Sequence, residues 1–542
     1  MTNIRLFLAT LFLLSALSAF SQQADLTSSS ILVGPYLQDA TPTSIKVMWE
    51  TSVGEESIVE WGLTPKLGKQ HSGVSFPINY SDSRVHEVTL TDLKRLTTYF
   101  YRVKTGKWVS DIFQFKTPPF ARDQQAFNLV AMSDMQIDNA NPGKFEEIVH
   151  QGVLAYLQDT YEGSVPENLA LVMIPGDLVT DGAAYYQWKD HFFDPGQELF
   201  SQVPLYPVPG NHERNSSYFF KYFSLPRNGT PAYDEHWWYK DYGNVRIIGL
   251  DSNEGYRNSI QLEWLDEVLR STGDHDSIDF VFAQLHHPHK SELWLDGEED
   301  FTGEVVKKLE AFSMRTGKPG IHFFGHTHGY SRGQSRDHKH LWINVATAGG
   351  NIDYWGEFAQ KNYDEFTVTQ DEYGFVMVEV DPNNGDPKLT VRRISRGNEN
   401  LARDNELRDS ITVWKFDKKP EVPQAVSPVN TTVNSEKVVL IASPFDSQLA
   451  SAAHGASHWQ VSKYEDFSEL IVDSWKQYED WYAYQDLQKD DDLTDEKLSL
   501  LDKGTVYYWR VRYRDKSLNW SDWSVPARFT TLNNASLQKA EE

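Results

Sequence analysis

The residues best equipped for chemistry fall in five short clusters, each placed where an apolar run of strand length stops. Ser133-Asp134-Met135-Gln136 follows the run at 127–132, and Pro175-Gly176-Asp177-Leu178 follows the run at 169–174. Pro209-Gly210-Asn211-His212-Glu213 follows 203–208, His286-His287-Pro288 follows 280–285, and Gly325-His326-Thr327-His328 follows 321–324. Carboxylates, amides and imidazoles are the side chains that hold hard or borderline metal ions. An Asn beside a His sets a neutral oxygen ligand next to a titratable ring. Taken alone, Pro-Gly-Asn is ordinary turn chemistry. Five such clusters in one chain share a grammar that turns do not require.

The elements that must carry them can be read from periodicity. A loop at the end of a buried strand is where α/β proteins place their reactive groups. Between about 127 and 394 the strand-like runs alternate with helical stretches such as 261–269, whose apolar residues recur every three or four positions, so this region is expected to be a layered α/β domain. Before it, from Val33 to about Pro118, short alternating runs at 44–49, 57–62 and 98–103 with internal Trp and Tyr predict a β-sandwich of fibronectin type III kind. A charged stretch around Asn398 to Asp409 and a linker at 418–423 precede a return to strand patterning at 505–513, 519–524 and 529–531, which predicts a second such sandwich. Its many aromatics are expected in a core, with glycan or partner binding as the other use. The acidic loop at 489–492 suggests no function.

Length fits several domains, since 542 residues exceed what one core supports. The first residues resemble an export leader: a short basic start ending at Arg5, an apolar stretch from Leu6 to Ala19, and a small-residue site before Gln22. The apolar stretch is shorter than the roughly 20 residues of a membrane span. The chain has no Cys, which excludes disulfides, thiolate metal sites, Cys nucleophiles and a lipid-modified N-terminal Cys. With 77 acidic against 51 basic residues the formal charge is −26, which repels polyanions and makes nucleic acid an unsuitable partner.

In series, D-x-Q, G-D-L, G-N-H-E, H-H-P and G-H-T-H resemble the motif set of the calcineurin-like metallophosphoesterases. The arrangement further resembles the purple acid phosphatases, whose chains carry an N-terminal β-sandwich. The opening Val33-Gly34-Pro35-Tyr36-Leu37-Gln38 resembles the start of that sandwich. The resemblance implies a four-layer domain of two mixed sheets flanked by helices, with two metal ions such as Fe, Zn or Mn at the sheet edges. By motif position Asp177 would bridge the ions. Asp134 and His328 would belong to the first, and Asn211, His286 and His326 to the second. His286 is preferred to His287 because the family's ligand stands two residues before the Pro. His212 would face the substrate, and Glu213 would orient a neighbour.

Two departures stand beside these matches. Gln136 occupies the place of the His in D-x-H and of the Gly in the purple acid phosphatase pattern, where its amide oxygen could bind the first metal or hold a water. Thr180 stands where purple acid phosphatases carry the Tyr that binds ferric iron and gives them colour, so no purple colour is expected. The expected chain is a leader (1–21), an N-terminal sandwich (30–119), a metallophosphoesterase domain (125–396) and a C-terminal sandwich (420–532). The expected function is hydrolysis of small phosphomonoesters by a metal-bound hydroxide in a secreted or periplasmic protein. The alternatives are phosphodiester cleavage and a non-catalytic surface- or glycan-binding protein. Natural substrate, metal identity and oligomeric state are not encoded in these motifs.

Overall fold

The structure, a computed structural model, describes residues 30–78, 82–449 and 452–533. The leader expected over residues 1–21 lies outside the described residues.

Two sheets form the middle of the central domain. In the first, Leu401–Trp414, Lys388–Asn398, Tyr373–Asp381, Phe127–Ala131, Leu171–Ile174 and Leu205–Pro207 lie side by side in that order. In the second, the order is Trp238–Tyr242, Val245–Gly249, Phe280–Gln284, Gly320–Phe324, His340–Val345, Tyr330–Gln334 and Phe366–Gln370. Within each sheet the strands that precede the clusters run parallel to one another, so their carboxyl ends share one edge. Residues of the second sheet alternate between two cores. Val245, Ile247, Phe282, Ile321 and Phe323 pack in the same core as the first sheet. Ile248, Val281 and Ala283 pack with Leu265, Leu269, Val305 and Leu309 of helices Ser259–Gly273 and Asp300–Thr316. The first sheet is covered in turn by helical residues Phe145, Val149, Val153, Phe192 and Leu199. The result is the expected order of helix, sheet, sheet and helix, with strands buried on both faces, which is why they read as continuous apolar runs.

The N-terminal sandwich has a core of Trp49, Trp61, Tyr99, Tyr101 and Phe115. It is not a separate bead. Its strand Ile31–Thr41 pairs in parallel with Leu205–Pro207 at Gln38 and Leu205 and so extends the first sheet. Tyr36 donates to the Tyr222 carbonyl at 2.6 Å and Tyr101 to the Ser201 carbonyl at 2.7 Å, both buried.

The charged stretch around Asn398 to Asp409, taken from sequence as the end of the central domain near 396, differs from that expectation. It forms most of Leu401–Trp414, which pairs antiparallel with Lys388–Asn398 as the outer strand of the first sheet. Outer strands are where charged side chains are tolerated and even useful, because they discourage pairing with other chains. A run of charges therefore hid a strand.

Beyond it, strands between Ala425 and Thr531 build the second sandwich around Trp459, Trp509, Tyr507, Tyr513 and Phe529. Those five, with Phe445 packed against them, are the aromatics of its core cluster, while Tyr464 is exposed. One short hairpin leaves the sandwich: Trp481–Tyr482 and Gln485–Asp486 join the second sheet, with Trp481 paired to Val368. Buried Arg332 ties the same junction, donating to Asp409 at 2.6 Å and to Glu479 at 2.9 Å.

Candidate metal centre

The five clusters meet where the carboxyl edges of the two sheets face each other. Their backbones are not relaxed. Asp134, Asp177 and His326 have φ of 59°, 53° and 71°, left-handed values that cost of order 1–3 kcal/mol each for residues with a side chain and persist where function requires them. Two glycines make the convergence sterically possible. A Cβ on Gly176 would lie 2.6 Å from His286 Nδ1, and one on Gly325 would lie 2.3 Å from Asp134 Oδ2.

The hydrogen bonds fix which imidazole nitrogen faces the centre. A carbonyl oxygen only accepts, so a ring nitrogen resting on one must carry its hydrogen. His286 Nδ1 sits 2.9 Å from the Pro175 carbonyl, His328 Nδ1 2.5 Å from that of Asn351, and His212 Nδ1 2.6 Å from that of Thr180. Each ring therefore turns Nε2 inward. His286 Nε2 lies 3.1 Å from Asp177 Oδ2 and 2.9 Å from Asn211 Oδ1, and His328 Nε2 lies 3.2 Å from Asp134 Oδ1. Holding a metal-binding imidazole by its other nitrogen is how such sites set tautomer and angle. His326 completes the group, its ring 5.1 Å from that of His286.

The same logic separates the two adjacent histidines. His286, His287 and His326 stand close enough to share an ion. Ser252 Oγ, however, accepts from the backbone N–H groups of His286 at 3.1 Å and His287 at 3.0 Å, so its own hydrogen goes to His287 Nδ1 at 2.9 Å. The His287 proton is then on Nε2, and burial beside His286 and His326 keeps this ring neutral, its pKa lowered. That leaves it no lone pair to offer. Ser252 was not visible as a partner in the sequence, since nothing in its neighbourhood marks it.

The two carboxylates are the negative half of the site. Asp134 accepts from Ser133 Oγ at 2.5 Å and from His326 N at 3.1 Å, and Asp177 accepts from His212 N at 2.9 Å. Asp134, Asp177 and His286 have ligand atoms within 4.8 Å of one another, which puts Asp177 within reach of both halves. Burial opposes ionisation of Asp177, yet His286 and His212 hold its carboxyl below the ordinary range. Burial likewise opposes charge on His286 and His328, but Asp177 raises the first to about 9 and Asp134 raises the second to about 10. Among the described residues neither carboxylate pairs with Lys or Arg. The site gathers cations, and its donor set of carboxylate, amide oxygen and imidazole suits divalent or trivalent metal ions.

Glu213 shows how the loops are locked. Fully buried, it accepts from Asp177 N at 2.9 Å, Leu178 N at 2.8 Å and Gly210 N at 2.6 Å. Burial and then the Asp177 charge push its carboxyl up to about 8, against the pull of those N–H donors. It thus positions the backbone of Asp177 as well as its own loop. Glu213→Gln sets an amide NH2 against backbone donors and leaves a buried N–H unpaired, at a cost of about 1–3 kcal/mol. The expected result is a lower denaturant midpoint for the central domain together with weaker metal retention. An unchanged midpoint would show that these three bonds hold nothing.

The two departures from the family pattern now have positions. The Gln136 amide lies 3.1 Å from His328 Nε2, with its other polar atom buried and without a partner. Exchanging the amide's two ends turns the oxygen toward the point that His328 and Asp134 also face. Gln136→His is therefore expected to raise metal retention, because imidazole is the better donor, with turnover equal or lower. Dialysis of wild type, Gln136→His and Gln136→Ala against a chelator series tests this, and identical loss from all three would remove Gln136 from the site. Thr180 does not face the centre: its Oγ1 accepts from Ile137 N at 3.1 Å and lies 3.3 Å from His191 Nδ1.

Around the rim, Trp294 packs 5.2 Å from the His326 ring and 5.5 Å from Phe358. Asp353, which the motifs did not flag, accepts from His328 N at 2.7 Å. Asn211 is exposed and His212 half-buried, its side chain 35% accessible and its Nε2 3.9 Å from Asp177 Oδ2.

Comparison with known proteins agrees with this geometry. Residues 127–330 match the family described as calcineurin-like phosphoesterase, and residues 33–117 match the purple acid phosphatase N-terminal domain. The chain therefore carries a calcineurin-like phosphoesterase domain behind a purple acid phosphatase N-terminal domain. Along its length it is similar to purple acid phosphatases. It is 23% identical over 343 residues to purple acid phosphatase 15 of Arabidopsis thaliana, covering 55% of this chain and 59% of that protein. It is 22% identical over 307 residues to the Fe(3+)-Zn(2+) purple acid phosphatase 12 of the same plant, covering 53% and 61%. The chain thus spans less than two thirds of the length of these relatives. The structure of purple acid phosphatase PPD1 from yellow lupin seeds superposes with a TM-score of 0.54 at 18% identity, over 70% of this chain and 73% of that one.

Proposed function

We propose that this protein hydrolyses small phosphomonoesters with two metal ions held between the carboxyl edges of its sheets. The observation that carries this reading is that Asp134, Asp177 and His286 gather their ligand atoms within 4.8 Å of one another, with His286 Nε2 3.1 Å from Asp177, His328 Nε2 3.2 Å from Asp134 and His212 Nε2 3.9 Å from Asp177. Asp134, Asp177, His328 and Gln136 would hold the first ion, and Asp177, Asn211, His286 and His326 the second. When bound, such a pair supplies positive charge for the phosphoryl oxygens and lowers the pKa of a coordinated water. The relative named as a Fe(3+)-Zn(2+) enzyme supports a mixed pair. Thr180 in place of a tyrosine argues against the purple colour.

The chain's own residues do the rest. His212, held through Nδ1 by the Thr180 carbonyl, offers Nε2 at the open side of the site, where it can give a proton to the departing oxygen of the substrate. Trp294 packs against the His326 ring and Phe358 against Trp294, which gives that side of the site an aromatic wall. A scaffold that had lost its activity would have no use for three carbonyl-locked imidazoles and two strained carboxylate loops, so the glycan-binding alternative does not explain the centre.

Export is part of the same proposal, supported by the leader-like start at residues 1–21. No helix among the described residues is long and apolar enough to cross a membrane. Metal analysis of the purified protein, beside turnover of an aryl phosphomonoester and an aryl phosphodiester, tests the function. Two equivalents of metal and faster monoester turnover are expected. A preference for the diester would move the assignment to that class, and a metal-free, inactive protein would end the proposal.

A further inference from the structure

A second cavity, of about 570 Å³, opens at the junction between the central domain and the C-terminal sandwich. Its volume falls within the roughly 300–1,000 Å³ typical of small-molecule sites. Trp355, Leu401, Trp481 and Tyr484 give it aromatic and apolar walls, and Gln370 and Asn400 are among its polar groups. Trp481 is 43% exposed and Tyr484 66%. They belong to the hairpin that leaves its own sandwich to join the second sheet.

That hairpin is built against local preference. Its two loop residues, Ala483 and Tyr484, have φ of 46° and 65°, a turn that ordinarily takes Asn-Gly. A bulky residue at positive φ is an outlier, tolerated where the surroundings demand it. Here it presents the Tyr484 ring to the cavity, while its hydroxyl hydrogen-bonds Asp371. The polar groups are poised as well. Gln370 Oε1 is buried and without a hydrogen-bond partner, and Arg408 spends one amine on Glu406 at 3.2 Å. Asp371, Glu372 and Glu479 outnumber Arg403 and Arg408, so the lining is net acidic and repels anions.

We propose that this cavity binds a neutral saccharide. A pyranose ring has an apolar C–H face that lies flat on an indole or phenol, and a rim of hydroxyls that donate to Gln370 Oε1 and the carboxylates and accept from Asn400 and Arg408. The acidic lining excludes phosphosugars and uronic acids. The site is distinct from the metal centre but not remote from it in sequence: Trp355 follows closely on Asn351 and Asp353, both hydrogen-bonded to His328. A saccharide held there would tether the enzyme beside glycan-bound substrates.

The test is calorimetric titration of the full chain with neutral hexasaccharides of β-1,4-glucose, β-1,3-glucose and α-1,6-mannose, and with an oligogalacturonate as the anionic control. At least one neutral sugar should bind, and Trp481→Ala should weaken it about tenfold, the loss of one stacking partner. Asn400→Ala, on an exposed side chain, should weaken it less. Circular dichroism confirms that both variants are folded. Failure of every neutral sugar to bind, equal binding by Trp481→Ala, or preference for the oligogalacturonate would each overturn the proposal.

Discussion

Replacing Asp177 by Asn is expected to cut turnover by at least about 10³-fold, the upper range for removing one preorganised electrostatic element, and to release at least one metal ion. Asp177 sits within reach of ligand atoms from both halves of the site and keeps its charge despite complete burial. Two cations a few ångströms apart repel strongly in a buried site, and an anion between them offsets that repulsion. Asn keeps the shape and one oxygen but not the charge. The main chain should survive the change, because Asp177 N and Leu178 N donate to Glu213 and Met135 N donates to the Asp177 carbonyl, none of which uses the side chain. Metal content and turnover measured on one preparation decide the matter. A variant with both metals and near-normal rate would remove Asp177 from the bridging position.

The reach of the sequence can be judged residue by residue. The strand-end clusters were legible because a buried strand is an unbroken apolar run and its end is abrupt; Asp134, Asp177, Asn211, His286, His326 and His328 all lie where those runs stop, and the structure brings them together. The tautomers were not legible. They depend on carbonyls of Pro175, Thr180 and Asn351 and on Ser252 Oγ, contacts set by tertiary packing that no local pattern announces. Glu213 could be placed beside the site from its position, but that it holds three N–H groups across two loops required coordinates.

The larger architecture divides the same way. Alternation of strands and helices gave the layered domain, whereas the number of layers came through family resemblance and is visible physically only in the split of the second sheet's residues between two cores. Leu401–Trp414 was hidden because charge on an outer strand looks like charge in a loop. The Trp481–Asp486 hairpin was hidden because Ala-Tyr is a poor turn sequence, and its pairing partner Val368 lies far away in the chain. Tertiary contacts overrode local preference at both places.

His212→Ala is expected to keep both metal ions and to lower the chemical step by about 10²–10⁴-fold, the usual contribution of a positioned general acid. Its Nδ1 is committed to the Thr180 carbonyl at 2.6 Å, so a single nitrogen remains for chemistry, and that nitrogen stands 3.9 Å from Asp177 Oδ2 on the solvent side of the site. Metal retention should be nearly unchanged, because the bond that His212 makes to Asp177 Oδ1 comes from its backbone N–H, which alanine preserves. The leaving group separates acid catalysis from mere positioning. A substrate whose alcohol departs as a stable anion needs no proton, so 4-nitrophenyl phosphate should lose far less rate in the variant than an alkyl phosphate. Equal loss on both substrates would assign His212 to holding the phosphoryl group, and loss of metal from the variant would make it a ligand.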